Sequence, residues 1–192
     1  MDKNRKTLII IGVVGGLCLV LVVGAVLIFG SLARLASKMI ITDPAEAAAV
    51  AHQIIDYDLP AGYSEQMAMT VPTYQFVAIT STDNSLSPTI MLAQFTGDTS
   101  LTPEEMQEQL SQAYNPSTSP GSQMHVVETK TMTIRGYETE VVISEGGLEG
   151  GVTIRRLMTV FPGRSGQVML MIQGAADYWD EQLMDDFIHS IR

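Results

Sequence analysis

The sequence predicts an α+β fold: a mostly antiparallel sheet with helices on its faces, an α/β/α sandwich, preceded by one N-terminal transmembrane helix. Three observations predict it. Residues 7–30 carry no charge and consist almost wholly of Leu, Ile, Val, Gly and Ala. Beyond residue 43, runs with period-two apolarity alternate with stretches of helical period. Turn-length links rich in Gly and Pro separate the later strands, which is the spacing of hairpins.

The charge-free segment has 24 residues. As a helix it is about 36 Å long, enough to cross a hydrocarbon core of about 30 Å with some tilt. A helix is also the one single-segment structure that satisfies its own backbone in lipid. A cleavable signal peptide has a shorter apolar stretch ending in a small-residue site. Here Val26, Leu27, Ile28 and Phe29 continue past Gly24, and Arg34 interrupts the small residues that follow. Leu17 precedes Cys18, where a lipoprotein site needs a small residue. The segment is therefore expected to stay as an anchor.

Lys3, Arg5 and Lys6 lie before the span, Arg34 and Lys38 after it. The positive-inside rule favours a cytoplasmic N-terminus by one charge. Beyond Lys38, six basic residues face twenty acidic ones, a net of −14, which an anionic inner leaflet repels. The expected layout is a cytoplasmic tail at 1–6, the span at 7–30, a helical juxtamembrane linker at 31–42 and an extracytoplasmic domain at 43–192. Gly12 and Gly16 have the spacing that lets two membrane helices approach, so a homodimer through them is one expected partnership. The others are the bilayer itself and a membrane or extracytoplasmic protein.

Within the domain, Asp43, Pro44 and Glu46 form an N-cap, a first-turn proline and a capping-box acid. They open a helix to about Tyr57, with Ala47, Val50, Ala51, Ile54 and Ile55 on one stripe. Strands follow at 63–70, 73–82 and 89–96, the last apolar on both faces. Thr102-Pro103-Glu104-Glu105 repeats the cap pattern and opens a helix to about Tyr114. Asn115 to Gln123 reads as a surface loop. Strands at 124–134, 137–144, 152–161 and 167–173 come next, and Asp177 to Asp180 cap a last helix to Ile191. On that helix Trp179, Leu183, Phe187 and Ile191 make one apolar face with Met184 and Ile188.

Two of these features, TPEEMQEQLSQAY after a central strand and QGAADYWDEQLMDDFIHSI leaving the final one, flank a run of hairpin strands. In this the chain from Asp43 to Arg192 resembles the PsbP-like α/β/α sandwich family and its uncharacterised bacterial membrane-anchored members. The resemblance implies a fold and an accessory or binding role. It implies no enzyme chemistry, and no functional residue of the photosynthetic members can be matched here.

The acidic balance excludes nucleic acid as an expected partner. Cys18, the only cysteine, lies in the anchor, so the domain has neither a disulfide nor a thiol nucleophile. His52 with Asp56 and Asp185 with His189 are i, i+4 pairs that could share a metal, yet two ligands do not make a zinc site. Asp56, Tyr57 and Asp58 near Tyr63 offer carboxylates to a hard cation without EF-hand spacing, and Asp185-Asp186 reads as a solvated pair. Met67 with Met69, and Met169 with Met171, have soft-ligand spacing on strands; a core-facing strand filled with Met shows the same spacing, and core filling is the expected role of Met169 and Met171. Gly146, Gly147, Gly150 and Gly151, flanked by Glu145 and Glu149, read as a mobile hairpin tip, not a phosphate cradle. Arg155 and Arg156 face opposite sides of the sheet, one of them expected to meet Glu138 or Glu140.

No catalytic, cofactor or metal residue is therefore assigned, and no cofactor is expected. The expected function is a non-catalytic extracytoplasmic binding or accessory domain. The alternatives are a sensor or storage domain for Ca, Zn or Cu, and a hydrolase with a dispersed site, which His125 or His189 beside a carboxylate and a hydroxyl would support.

Overall fold

The computed structural model describes residues 39–84, 86–96, 124–147 and 151–192. The span at 7–30, the Gly12 and Gly16 pair, the helix at 102–114, the loop at 115–123 and the tip residues Glu149 and Gly150 lie outside the described residues. Among the described residues, no helix is long and apolar enough to cross a membrane.

Strand β1, Ile40–Ile41, opens the described chain. The linker was expected to be helical here, but these two β-branched residues instead pair with Met69 and Ala68. Helix α1 follows, Pro44–Ile54, with the Asp43 carboxylate accepting from the Ala45 and Glu46 amides at 3.0 and 3.1 Å. It ends three residues before Tyr57, since Ile55 is already extended. Strands β2 (Tyr63–Val71), β3 (Tyr74–Ser81) and β4 (Thr89–Phe95) form a meander. Strands β5 (Met124–Ile134), β6 (Tyr137–Gly147), β7 (Thr153–Pro162) and β8 (Gln167–Ala175) form a second one. A 3-10 turn, Ala176–Tyr178, leads to helix α2, Glu181–Ser190. Its N-cap is Asp180, not Asp177: the Asp180 carboxylate accepts from the Leu183 amide at 3.1 Å.

The strands make one sheet in the order β1-β2-β3-β4-β8-β7-β6-β5, with every neighbouring pair antiparallel. β8 returns between the two meanders and joins them through β4. The register stacks apolar side chains in rows across the strands. One row runs Ile79, Ile90, Ile172, Leu157 and Ile143. The row behind it, on the other face, runs Ala78, Met91, Met171, Met158 and Val142.

Both described helices lie on the face of the first row, where one core unites Val50, Ile54, Met184, Phe187 and Ile188 with Leu92, Leu170 and Ile172. The Tyr57 ring meets Phe187 edge-on at 5.3 Å between centroids and so ties α1's exit to α2. The expected helices on both faces are thus seen on one, the third expected helix lying outside the described residues. The other face has its own smaller cluster of Ala93, Met158, Val160 and Met169, with Tyr74, Phe76 and Phe95 packed against it.

Phe187 is the largest side chain that α2 buries, at 2% exposure. Phe187→Ala is expected to cost about 3–5 kcal/mol of unfolding free energy. Asp43→Ala, which removes only the cap of α1, is expected to cost about 1 kcal/mol. Urea unfolding of both variants checks the order.

Candidate functional site

An open cleft of about 700 Å³ lies where the end of α1 meets the ends of β2 and β4, the start of β3 and the β7–β8 turn. Gln53, Thr70, Gln75, Thr96, Arg164 and Ser165 supply its polar wall. Behind that wall is Gln94, fully buried on the helix face of β4. In the amide orientation that satisfies its neighbours, its carbonyl accepts from the Ser165 and Arg164 amides at 2.8 and 3.3 Å. Its NH₂ then donates to Gln75 at 3.3 Å. Gln75 in turn donates to Gln53 at 2.8 Å, so three glutamines relay hydrogen bonds from the sheet interior to the cleft.

The turn can close over Gln94 because residue 163 is a glycine. A Cβ there would sit 2.3 Å from a Val168 methyl and 2.8 Å from the Gln94 amide. Arg164 beside it forms an ion pair with Asp56, whose other oxygen lies 3.2 Å from His52 Nδ1. Among the described residues that line the cleft, Arg164 is the one cation, and Asp56 already answers it.

A second, smaller opening of about 440 Å³ lies between residues 58–61 and α2, with Asp58, Asp180 and Asp186 on its wall. These carboxylates are engaged. Asp58 accepts a two-pronged bond from Arg192 at 3.0 and 2.8 Å. Asp180 caps α2, and Asp186 accepts from Gln182 at 3.2 Å. The bond from Arg192 holds the Asp58 carboxyl below the usual carboxylate range.

Between the two openings, Tyr57 turns inward and donates to Glu65 at 2.9 Å, both residues being 6% exposed. Burial, then the Glu65 charge, then this bond push the Tyr57 hydroxyl well above its ordinary pKa. A carboxylate near the start of β2 is tolerated inside because it has that donor.

The residues singled out in the sequence are mostly dispersed. His52 does meet Asp56, but Asp185 gives its carboxylate to Lys130 at 3.1 Å, and His189 Nδ1 faces the Asp185 backbone oxygen at 2.7 Å. His125 is exposed on β5, opposite Glu145. Asp56 and Asp58 turn to different arginines with Tyr57 pointing inward between them, so the expected carboxylate pair does not converge. Among the described residues, no group of three or more His, Cys, Asp or Glu is placed to hold a metal ion.

Met169 and Met171 are buried, while Met67 is 37% exposed. Gly146 and Gly147 belong to β6, paired with Ile154 and Thr153, and are not part of a tip; of the three described, Gly151 alone takes a left-handed φ, of 82°. Arg155 lies opposite Glu145, not Glu138 or Glu140. It pairs with Glu145 at 3.5 Å and Glu181 at 2.9 Å, over the Trp179 ring at 5.5 Å. Arg156, on the other face, donates to Gln173 at 2.8 Å. Sequence reading missed Gln53, Gln75, Gln94 and Glu65. The signal for Gln94 is its place as the one polar residue inside the apolar run IMLAQF.

No family model matches this chain, and no curated protein matches it. Among solved structures it is similar to a cyanobacterial PsbP from Synechocystis sp. PCC 6803, with a TM-score of 0.47 and 14% identity over 71% of this chain and 89% of that one. It is also similar to LpqN of Mycobacterium tuberculosis, a protein involved in cell envelope biogenesis, with a TM-score of 0.44 and 18% identity over 71% of this chain and 81% of that one. The first of these bears the name of the family that the sequence resembles. At these identities no residue role passes to this chain.

Two outcomes follow from the buried bond and the outer bridge. Tyr57→Phe leaves Glu65 without its donor and is expected to cost about 1–3 kcal/mol in urea unfolding. In Arg192→Ala the Asp58 carboxyl is expected to titrate higher, back toward its ordinary value, when followed by carboxyl carbon NMR. Because the native value is depressed, the bridge's stabilisation is present above that ordinary value and is lost as pH falls through the depressed one.

Proposed function

We propose that the chain is a single-pass membrane protein whose residues 43–192 form a non-catalytic accessory domain outside the cytoplasmic membrane. Residues 7–30 are the anchor, 1–6 the cytoplasmic tail and 31–42 the link. The domain holds a polar ligand, or a polar segment of a neighbouring envelope protein, in the cleft at the β7–β8 turn.

The observation that carries the binding role is the convergence of Gln53, Gln75, Arg164 and Ser165 on one open cleft, braced from behind by Gln94. Amides and hydroxyls in fixed positions recognise donors and acceptors without moving protons. The titratable groups nearby are committed to one another: Asp56 to Arg164 and His52, and Asp58 to Arg192. A ligand with an anionic group gains by replacing Asp56 at Arg164. The anchor is supported by the uncharged length of 7–30, and the outward orientation by the charge balance on its two sides.

Alkaline carbonate extraction and externally added protease test the placement together. The full-length chain is expected to stay with the bilayer while the protease removes the domain from intact, wall-stripped cells. Release by carbonate, or a mature N-terminus at or beyond residue 25, overturns the anchor; a domain protected until the membrane is opened overturns its orientation.

A further inference from the structure

The two edges of the sheet are treated differently. At one edge, β1 pairs with Ala68 and Met69 of β2 through two residues. β5 closes the other with eleven residues, no proline, and Val126 and Val127 exposed at 61% and 44%. Among the described residues nothing pairs with its outer side.

The turn into β6 fixes which backbone groups that outer side presents. Arg135 and Gly136 both have positive φ, 55° and 82°, so they form the two-residue turn that matches strand twist. Such a turn is closed by a hydrogen-bonded pair, here Ile134 with Tyr137. By alternation, Met132, Lys130 and Glu128 direct their backbone groups to β6, and Thr133, Thr131 and Thr129 direct theirs outward. Lys130 reaches Asp185 of α2 on the helix side, so the three threonine side chains lie on the other face.

This edge is complementary to itself. With two copies antiparallel about Thr129, the Thr129 residues exchange both backbone bonds, and Glu128 of each copy lies directly opposite Lys130 of the other. Thr131 then faces Val127, the extra residue at the β-bulge between Val126 and Glu128, which ends the register. Opposite charges in such adjacent pairs favour the register, and a shift of two residues in either direction breaks both ion pairs.

We propose that β5 is an interaction surface for a second copy of this chain. The two domains pair edge to edge through residues 127–131 about a two-fold axis at Thr129, and a continuous sheet runs through both. This proposal rests on the strand geometry alone and holds whether or not residues 7–30 anchor the chain.

Disulfide trapping of the full chain in detergent micelles tests it, with Cys18→Ser removing the native thiol. T129C places two thiols across the axis, within disulfide reach. T131C does not, because each copy's residue 131 faces residue 127. The expected result is a covalent dimer from T129C, little from T131C alone, and a dimer again when T131C and V127C chains are mixed. E128K sets Lys against Lys and is expected to lower T129C trapping by roughly tenfold, while E128K with K130E restores it. Circular dichroism confirms that each variant is folded. Equal trapping at 129 and 131, as random collision or anchor-driven proximity gives, overturns the proposal. So does trapping that E128K leaves unchanged, or capture of a different protein at T129C in place of a second copy.

Discussion

The pairing of β4 with β8 is the constraint on which the rest of the structure depends. Each half of the sheet is a meander of strands adjacent in sequence, and local turns suffice to form it. Among the described strands only β4 and β8 join the halves, matching residues 89–95 to residues 167–173. Leu92 with Leu170 and Ile90 with Ile172 continue the helix-side core across this seam, and Met91 with Met171 continues the other face. Both helices depend on the same seam, because α1 and α2 share one core over it and touch through Tyr57 and Phe187. That core is complete only with the last strand in place.

The candidate cleft is built across this seam. Gln53, Thr70 and Gln75 come from the first half, Arg164 and Ser165 from the turn of the second, and Gln94 at the end of β4 bonds to both. Gly163 allows the turn to approach closely enough for those bonds. A binding site of this kind reports the integrity of the whole domain, since neither half holds the glutamine relay and the arginine together. The ion pairs around it engage the nearest carboxylates, Asp56 with Arg164 and Asp58 with Arg192.

Much of the fold was legible because its signals are local. The Asp43 cap, the Arg135-Gly136 turn and the glycine-rich turn after Pro162 place element ends within a few residues of where they lie. The apolar faces of β4 and α2 follow from spacing. What was illegible is non-local. The insertion of β8 beside β4 leaves no mark on either strand, since a doubly apolar strand fits anywhere inside a sheet. Ile40 and Ile41 form a strand only because β2 offers them a partner. The site was less legible than the fold. Gln94 stands out in an apolar run, but its partners Gln75, Arg164 and Ser165 lie on other elements, and spacing says nothing of their meeting. His52 with Asp56, one helical turn apart, was visible; the claim of Arg164 on the same carboxylate was not.

Native-state hydrogen exchange on the full chain tests the dependence on the seam most directly. The Thr96 amide bonds back to Thr73 of the β3 side, so by alternation Met91 and Ala93 direct their amides to β8, and Met169 and Met171 answer from it. These four amides are predicted to exchange only by global unfolding, with one free energy and the full denaturant dependence. Exchange of the four through a smaller opening, with β5–β7 still protected, would show that the halves stand independently and would contradict this account.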